Sequence, residues 1–124
     1  MTNVQNAETT IRQSPIDFDH LRSITFGDRA LESEVLSLFG EQASASLIAI
    51  ERSPDAGARE AAAHRLVGAA RAIGANQLAA AAEEIERAEE VSPKEIDSLS
   101  DAMAEVIEIL EDRMSRMIDQ TDAG

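Results

Sequence analysis

The chain has two histidines and no cysteine, so His20 and His64 are its natural candidates for nucleophilic or metal-binding chemistry. His64 lies within AAAHRLVGAARAIGA, residues 61–75, a run whose small and apolar residues fit a helix. At about 100° per residue, Ala62, Leu66, Ala69 and Ile73 form an apolar stripe, and Leu66 sits about 200° round from His64. The imidazole therefore points away from the core. Gly68 falls about 40° from it one turn on, and Arg71 within about 20° two turns on. Histidine, glycine and arginine share one exposed ridge. Neutral imidazole can accept a phosphoryl group, and histidine is substantially neutral near physiological pH. No metal-ligand cluster, general base or glycine-rich phosphate loop accompanies His64 in the sequence, so the phosphate and the catalysis must come from a partner.

Two features strengthen the ridge as a site. A glycine inside a helix costs about 1 kcal/mol against alanine, and this helix is otherwise rich in alanine. Gly68 is therefore expected either to let a partner lie against the helix beside His64 or to let another helix of the same domain pack closely. From Ala61 to Ala82 there is no acidic residue, while Arg65 and Arg71 are present. In a chain of net charge −13, that predicts a local positive island suited to an anionic adduct or an acidic docking partner. His20, in PIDFDHLRS, has Asp17 and Asp19 nearby, but one histidine among solvated carboxylates is a poor metal site. It reads as a surface residue. The clusters EEIERAEE and EILED read as solvated helix faces.

Composition limits the partners. A chain of 124 residues with 44% hydrophobic and 28% charged residues is one folded domain with one core. The excess of acidic over basic residues, 24 against 11, repels phosphate backbones and anionic lipid, which argues against nucleic acid and membrane as partners. There is no apolar run near 18 residues and no basic, apolar leader, so the expected location is cytoplasmic. Residues 1–13 are polar and without periodicity, and read as a mobile tail. The domain is expected over residues 14–120.

The elements that must carry His64 follow from caps and periodicity. Ser14-Pro15, Ser53-Pro54 and Ser92-Pro93 can each serve as N-cap and first helical residue, and Ser92-Pro93-Lys94-Glu95 is a capping box. A short helix with Ile16, Phe18, Leu21 and Ile24 should end near Gly27. Asp28 caps a long second helix carrying Leu31, Val35, Leu38, Phe39, Ala43, Leu47 and Ile50. The third helix runs from about Asp55 to Gly74, a C-terminal glycine. A fourth carries Leu78, Ala81, Ala82, Ile85 and Ala88 to about Glu90. The fifth carries Ile96, Leu99, Met103, Val106, Leu110, Met114 and Met117. No segment alternates long enough for a strand. The expected fold is all-α, an antiparallel four-helix bundle with a short additional N-terminal helix. The methionines belong to the core stripe; where the last helix outruns the bundle, Met114 and Met117 could instead pair with a second copy.

The stretch HRLVGAARAIGANQLAAAAEEIE resembles the histidine-containing phosphotransfer (HPt) domain of two-component phosphorelays. His64 matches the phosphoaccepting histidine, Leu66 the buried leucine, Gly68 the glycine beside the site, and Gly74-Ala75 the following turn. Leu78, Ile85 and Glu86 match the next helix, and FGDRALESEVLSLF upstream looks like the first long bundle helix. One position departs: Val67 stands where the family usually has a lysine that helps stabilise the phosphoryl charge. Arg71, leaning back along the helix, and Arg65, about 100° round from His64, are the residues that could compensate.

The resemblance implies a carrier with no kinase activity or cofactor of its own. His64 would exchange a phosphoryl group with the aspartate of a response-regulator receiver domain, which supplies magnesium, and the donor could be a hybrid histidine kinase. Arg65, Val67, Gly68 and Arg71 would form the phosphate or partner-binding surface, and the domain would be a monomer. The alternative from another class is a non-catalytic helical module that docks or sequesters a receiver without transfer.

Overall fold

A computed structural model describes residues 14–123, with side-chain burial through Arg116. Residues 1–13, read from the sequence as a tail, lie outside the described residues. The helices are α1 (Phe18–Thr25), α2 (Arg29–Glu51), α3 (Ala56–Ala72), α4 (Asn76–Arg87) and α5 (Pro93–Ala123). Each of α2 to α5 packs on the next, and α5 returns to α2, closing a four-helix ring that α1 joins through α2. The described residues contain no strand, and none of their helices is long and apolar enough to cross a membrane.

Local chemistry explains most helix starts. Asp28 caps α2 by accepting from the N–H groups of Ala30 and Leu31 at 2.9 and 3.1 Å, and its charge also suits the positive end of the helix dipole. Ser92-Pro93 does open α5, where the Glu95 carboxylate accepts from the N–H and Oγ–H of Ser92. The other two Ser-Pro pairs do not cap. Asp17 caps α1 and Asp55 caps α3, accepting from His20 N–H and Ala58 N–H respectively. An ionised cap is the stronger acceptor, and Ser53 instead donates its hydroxyl to Ile50 O at the end of α2. Helix α4 stops at Arg87 rather than Glu90. There the chain turns extended at Ala88, and the carbonyls of Ala88 and Glu89 accept from the Arg59 guanidinium.

The buried face of α2 is Glu32, Leu36, Phe39, Ala43, Ser46 and Ile50, which shifts the expected stripe. Leu38 is 55% exposed, whereas Leu36 is fully buried. Apolarity alone misplaced the stripe because two polar residues lie on its inner side. Glu32 is held there by Arg113 of α5, whose Nη2 donates to Oε1 at 2.6 Å and whose guanidinium stacks 4.6 Å from the Phe18 ring centroid. That one arginine fastens α5 to both α1 and α2. On α5, Leu99, Met103, Val106 and Leu110 are buried and Met114 is half-buried. The side chain of Met117 lies outside the described residues.

The α3–α4 turn is the joint that matters for the site. Gly74 has φ +82°, and a Cβ there would come within 2.9 Å of the Asp17 carbonyl oxygen. Only glycine meets both demands without strain. Asp17 N–H donates to Gly74 O at 2.9 Å, and His20 Nε2 lies 3.0 Å from Ala72 O. Because a carbonyl only accepts, His20 Nε2 is the donor. His20 is thus not simply a surface residue: it staples α1 to the C-terminal end of α3, where four carbonyls lack helical partners.

Candidate phosphoacceptor site

Helix α3 buries Ala62, Ala63, Leu66, Val67 and Ala70, with Ile73 just beyond its end. This is broader than the stripe Ala62, Leu66, Ala69 and Ile73, and Ala69 is only half-buried. The breadth follows from position: α3 lies between α2 and α4 and is covered on two flanks. Its small residues let both neighbours come close. What remains outside is the ridge that helical geometry assigned to His64, Gly68 and Arg71. The His64 side chain is 75% exposed and that of Arg71 57%. A Cβ built on Gly68 would meet nothing within 4 Å, so close packing of another helix does not explain this glycine.

Two carboxylates from α4 reach across to the ridge. Nδ1 of His64 lies 2.7 Å from Oε2 of Glu86. An ionised carboxylate only accepts, so Nδ1 carries the hydrogen and donates it. In the neutral ring this leaves the lone pair on Nε2. One turn earlier on α4, Glu83 Oε2 accepts from Arg71 Nη2 at 2.6 Å, and its other oxygen, Oε1, lies 3.5 Å from Arg87 Nη2.

These side chains and Val67 line one open groove between α3 and α4. Val67 is 5% exposed, so it is mainly a core residue that contributes an apolar patch to the groove wall. Arg65 is not in this groove. It lines a separate recess on the α2 side with Gln42, Ser46 and Ala69.

The positive island is overturned. Glu60, Glu83, Glu86 and Glu89 line the groove against Arg71 and Arg87, so its formal charge is two negative with His64 neutral. A window of sequence around His64 contains no acid, but α4 folds back and brings acids to it. For the same reason EEIERAEE is not merely a solvated face, since Glu83 and Glu86 are tied to Arg71 and His64. Glu60, Glu83, Arg87 and Glu89 are the charged groove residues that the sequence reading did not assign to the site. A signal was available: His64 stands ten residues before Gly74, and Glu86 eleven after Ala75, so an antiparallel turn there brings the two level.

Among the described residues, no three or more His, Asp or Glu side chains are grouped to hold a metal ion. The carboxylate of Asp17, near His20 in sequence, is engaged as the α1 cap.

The site can be set beside known proteins. None of the curated proteins matches the chain. Among solved structures, the chain is similar to the histidine phosphotransferase ShpA from Caulobacter crescentus, with a TM-score of 0.64 and 28% identity over 86% of this chain and 94% of that one. The family model for the Hpt domain matches residues 34–123, which take in the groove, the whole of α3, α4 and α5, and α2 from its sixth residue on. An exposed histidine on the third helix of such a bundle, with its Nδ1 held from the fourth, is what that match encloses, and the chain belongs to the Hpt domain family.

Proposed function

We propose that the protein is a phosphorelay intermediate that carries a phosphoryl group on Nε2 of His64 and exchanges it with the aspartate of a receiver domain. The observation that carries this reading is the hydrogen bond from Nδ1 to Glu86, which leaves the exposed nitrogen with the lone pair. In the transfer, the Nε2 lone pair attacks the phosphorus of an aspartyl phosphate. The P–Nε2 bond forms as the acyl phosphate P–O bond breaks, and the electron pair leaves on the aspartate carboxylate. The proton stays on Nδ1, and the ring, now cationic, faces the Glu86 carboxylate. The reverse step returns the group to a receiver aspartate.

The receiver domain would bring the magnesium ion and most of the stabilisation of the transferring charge. Its docking surface would be the ridge beside Gly68, with Arg65 at its α2 edge, and a hybrid histidine kinase would stand upstream. The domain would act as a cytoplasmic monomer. A second reading is favoured by two observations: the groove carries net negative formal charge, and a buried Val67 stands where a lysine is usual in the family. Under that reading the domain docks or sequesters a receiver without accepting phosphate.

The test exposes the parent, His64→Gln and His20→Gln to a phosphorylated receiver. The carrier reading expects label on the parent and on His20→Gln, and none on His64→Gln. Binding without label on the parent would establish the second reading instead.

A further inference from the structure

We propose that Glu83 sets how readily His64 gives up its phosphoryl group, by competing with that group for Arg71. The proposal rests on the reading of His64 as a phosphoryl carrier. It concerns a residue that acts through Arg71 rather than one that touches the reacting atoms.

Glu83 and Glu86 stand three residues apart on one face of α4, and each engages a different member of the α3 ridge. His64 and Arg71 are about 10.5 Å apart along the axis, and helical side chains lean toward the N-terminus. Arg71 is therefore expected to lean toward His64, and its guanidinium is engaged by Glu83. A phosphoryl group on Nε2 brings about two negative charges and three acceptor oxygens, and guanidinium binds phosphate in the same bidentate fashion as carboxylate. The two anions therefore compete for one cation.

Val67 is apolar and buried, so the groove's cations are Arg71 and Arg87, and both are engaged by Glu83. The exchange is easy because Arg71 and Arg87 use different oxygens of Glu83. When Arg71 turns to the phosphoryl group, Arg87 remains as the counter-ion and no carboxylate is stranded. Both arginine side chains are more than half exposed, and exposed pairs exchange at little cost. With Glu83 present, the phosphoryl group receives only part of Arg71's attraction, which favours passing it on.

The test uses the full chain carrying His20→Gln, with phosphoramidate as the phosphoryl donor. In that labelling, Nε2 attacks phosphorus, the donor P–N bond breaks and ammonia leaves, so no receiver is needed. The phosphorylated fraction at equilibrium with phosphoramidate and ammonia is read by phosphorus NMR. Glu83→Gln should shift that equilibrium toward phosphohistidine by about three- to fivefold. Arg71→Gln should shift it the other way. In the Arg71→Gln background, Glu83→Gln should move it less than about twofold. The Nε–H resonance of Arg71 should move on phosphorylation of the parent.

An unchanged equilibrium in Glu83→Gln would overturn the proposal. So would an equal shift in both backgrounds, which would make Glu83 only a remote charge. A parent that phosphoramidate labels but a phosphorylated receiver does not would sink the carrier reading, while the comparison of variants would still decide the competition for Arg71. A parent that phosphoramidate cannot label would overturn the proposal as well.

Discussion

Glu86 and His64 face each other across the α3–α4 groove with Oε2 2.7 Å from Nδ1, and this pair fixes which ring nitrogen is available. Glutamine at position 86 would still present an oxygen to Nδ1–H, whereas alanine would not. Glu86→Ala should therefore slow phosphotransfer by about tenfold, corresponding to the loss of one exposed hydrogen bond to a charged group. Glu86→Gln should fall between it and the parent, keeping the tautomer but losing the charge that faces the cationic ring. Initial rates of label transfer from a phosphorylated receiver check the order. Equal rates in Glu86→Ala and the parent would mean that the hydrogen bond does not prepare Nε2.

Val67 lines the groove but is nearly buried, which gives a lysine at this position two opposed effects. Its stem can follow the same wall and carry the ammonium out to the groove, where it adds positive charge beside His64. The amount of phosphate held at equilibrium should rise, by about 1 kcal/mol in free energy for a partly exposed charge pair. The branched side chain leaves the core, and stability should fall by about 1 to 2 kcal/mol. Val67→Lys should thus show a lower melting temperature together with greater phosphate retention. A lower melting temperature without greater retention would mean that Arg71 and Arg87 already supply the charge.

The residues that could be read from the sequence are those whose causes are local. Asp28, Gly74 and the Ser92–Glu95 box announce helix ends through their own backbone chemistry, and the exposure of His64 follows from its angle to Leu66. What escaped depends on contacts between distant segments. Glu32 is turned inward because Arg113 arrives from the other end of the chain. The charge around His64 is set by Glu83 and Glu86, which no window around His64 contains. Val67 is buried because α3 is covered on two flanks, a fact of bundle position rather than of helix periodicity.

Gly74 is required twice, by its left-handed backbone and by the Asp17 carbonyl that lies 2.9 Å from where a Cβ would be. Gly74→Ala should cost about 1 to 2 kcal/mol from the backbone conformation alone, with the contact adding to it. Asp17 and His20 would shift with it, loosening α1 from α3. Thermal unfolding followed by far-UV circular dichroism, suited to a chain without Trp or Tyr, should show the loss. A melting temperature equal to the parent's would show that the turn relaxes freely.

Glu32 is the one charged residue buried among the described residues, and Arg113 is its partner. Removing the carboxylate leaves the guanidinium partly buried and without its counter-charge, so Glu32→Ala should destabilise the domain by about 1 to 3 kcal/mol. Phosphate labelling of His64 should be unaffected at temperatures where the variant is folded, because the pair lies on α2 and α5 rather than in the groove. A loss below about 0.5 kcal/mol, the size typical of exposed pairs, would show that Arg113 finds other partners.

Gly68 separates stability from function on the ridge itself. It is exposed, and a Cβ there would enter open space, so alanine should stabilise the helix by roughly 0.5 to 1 kcal/mol through lower backbone entropy in the unfolded chain. Glutamine, a good helix former, should be neutral to mildly stabilising. Both add atoms where a receiver is proposed to lie against α3 beside His64. Transfer should therefore fall with side-chain size, Gln below Ala below Gly, while the melting temperature does not fall with it. Circular dichroism and initial transfer rates from a receiver measure the two quantities on the same samples. Phosphoramidate, being small, should label all three proteins equally, which distinguishes a blocked docking surface from a damaged nucleophile. If Gly68→Gln accepts phosphate from the receiver as fast as the parent, the receiver does not dock on this ridge.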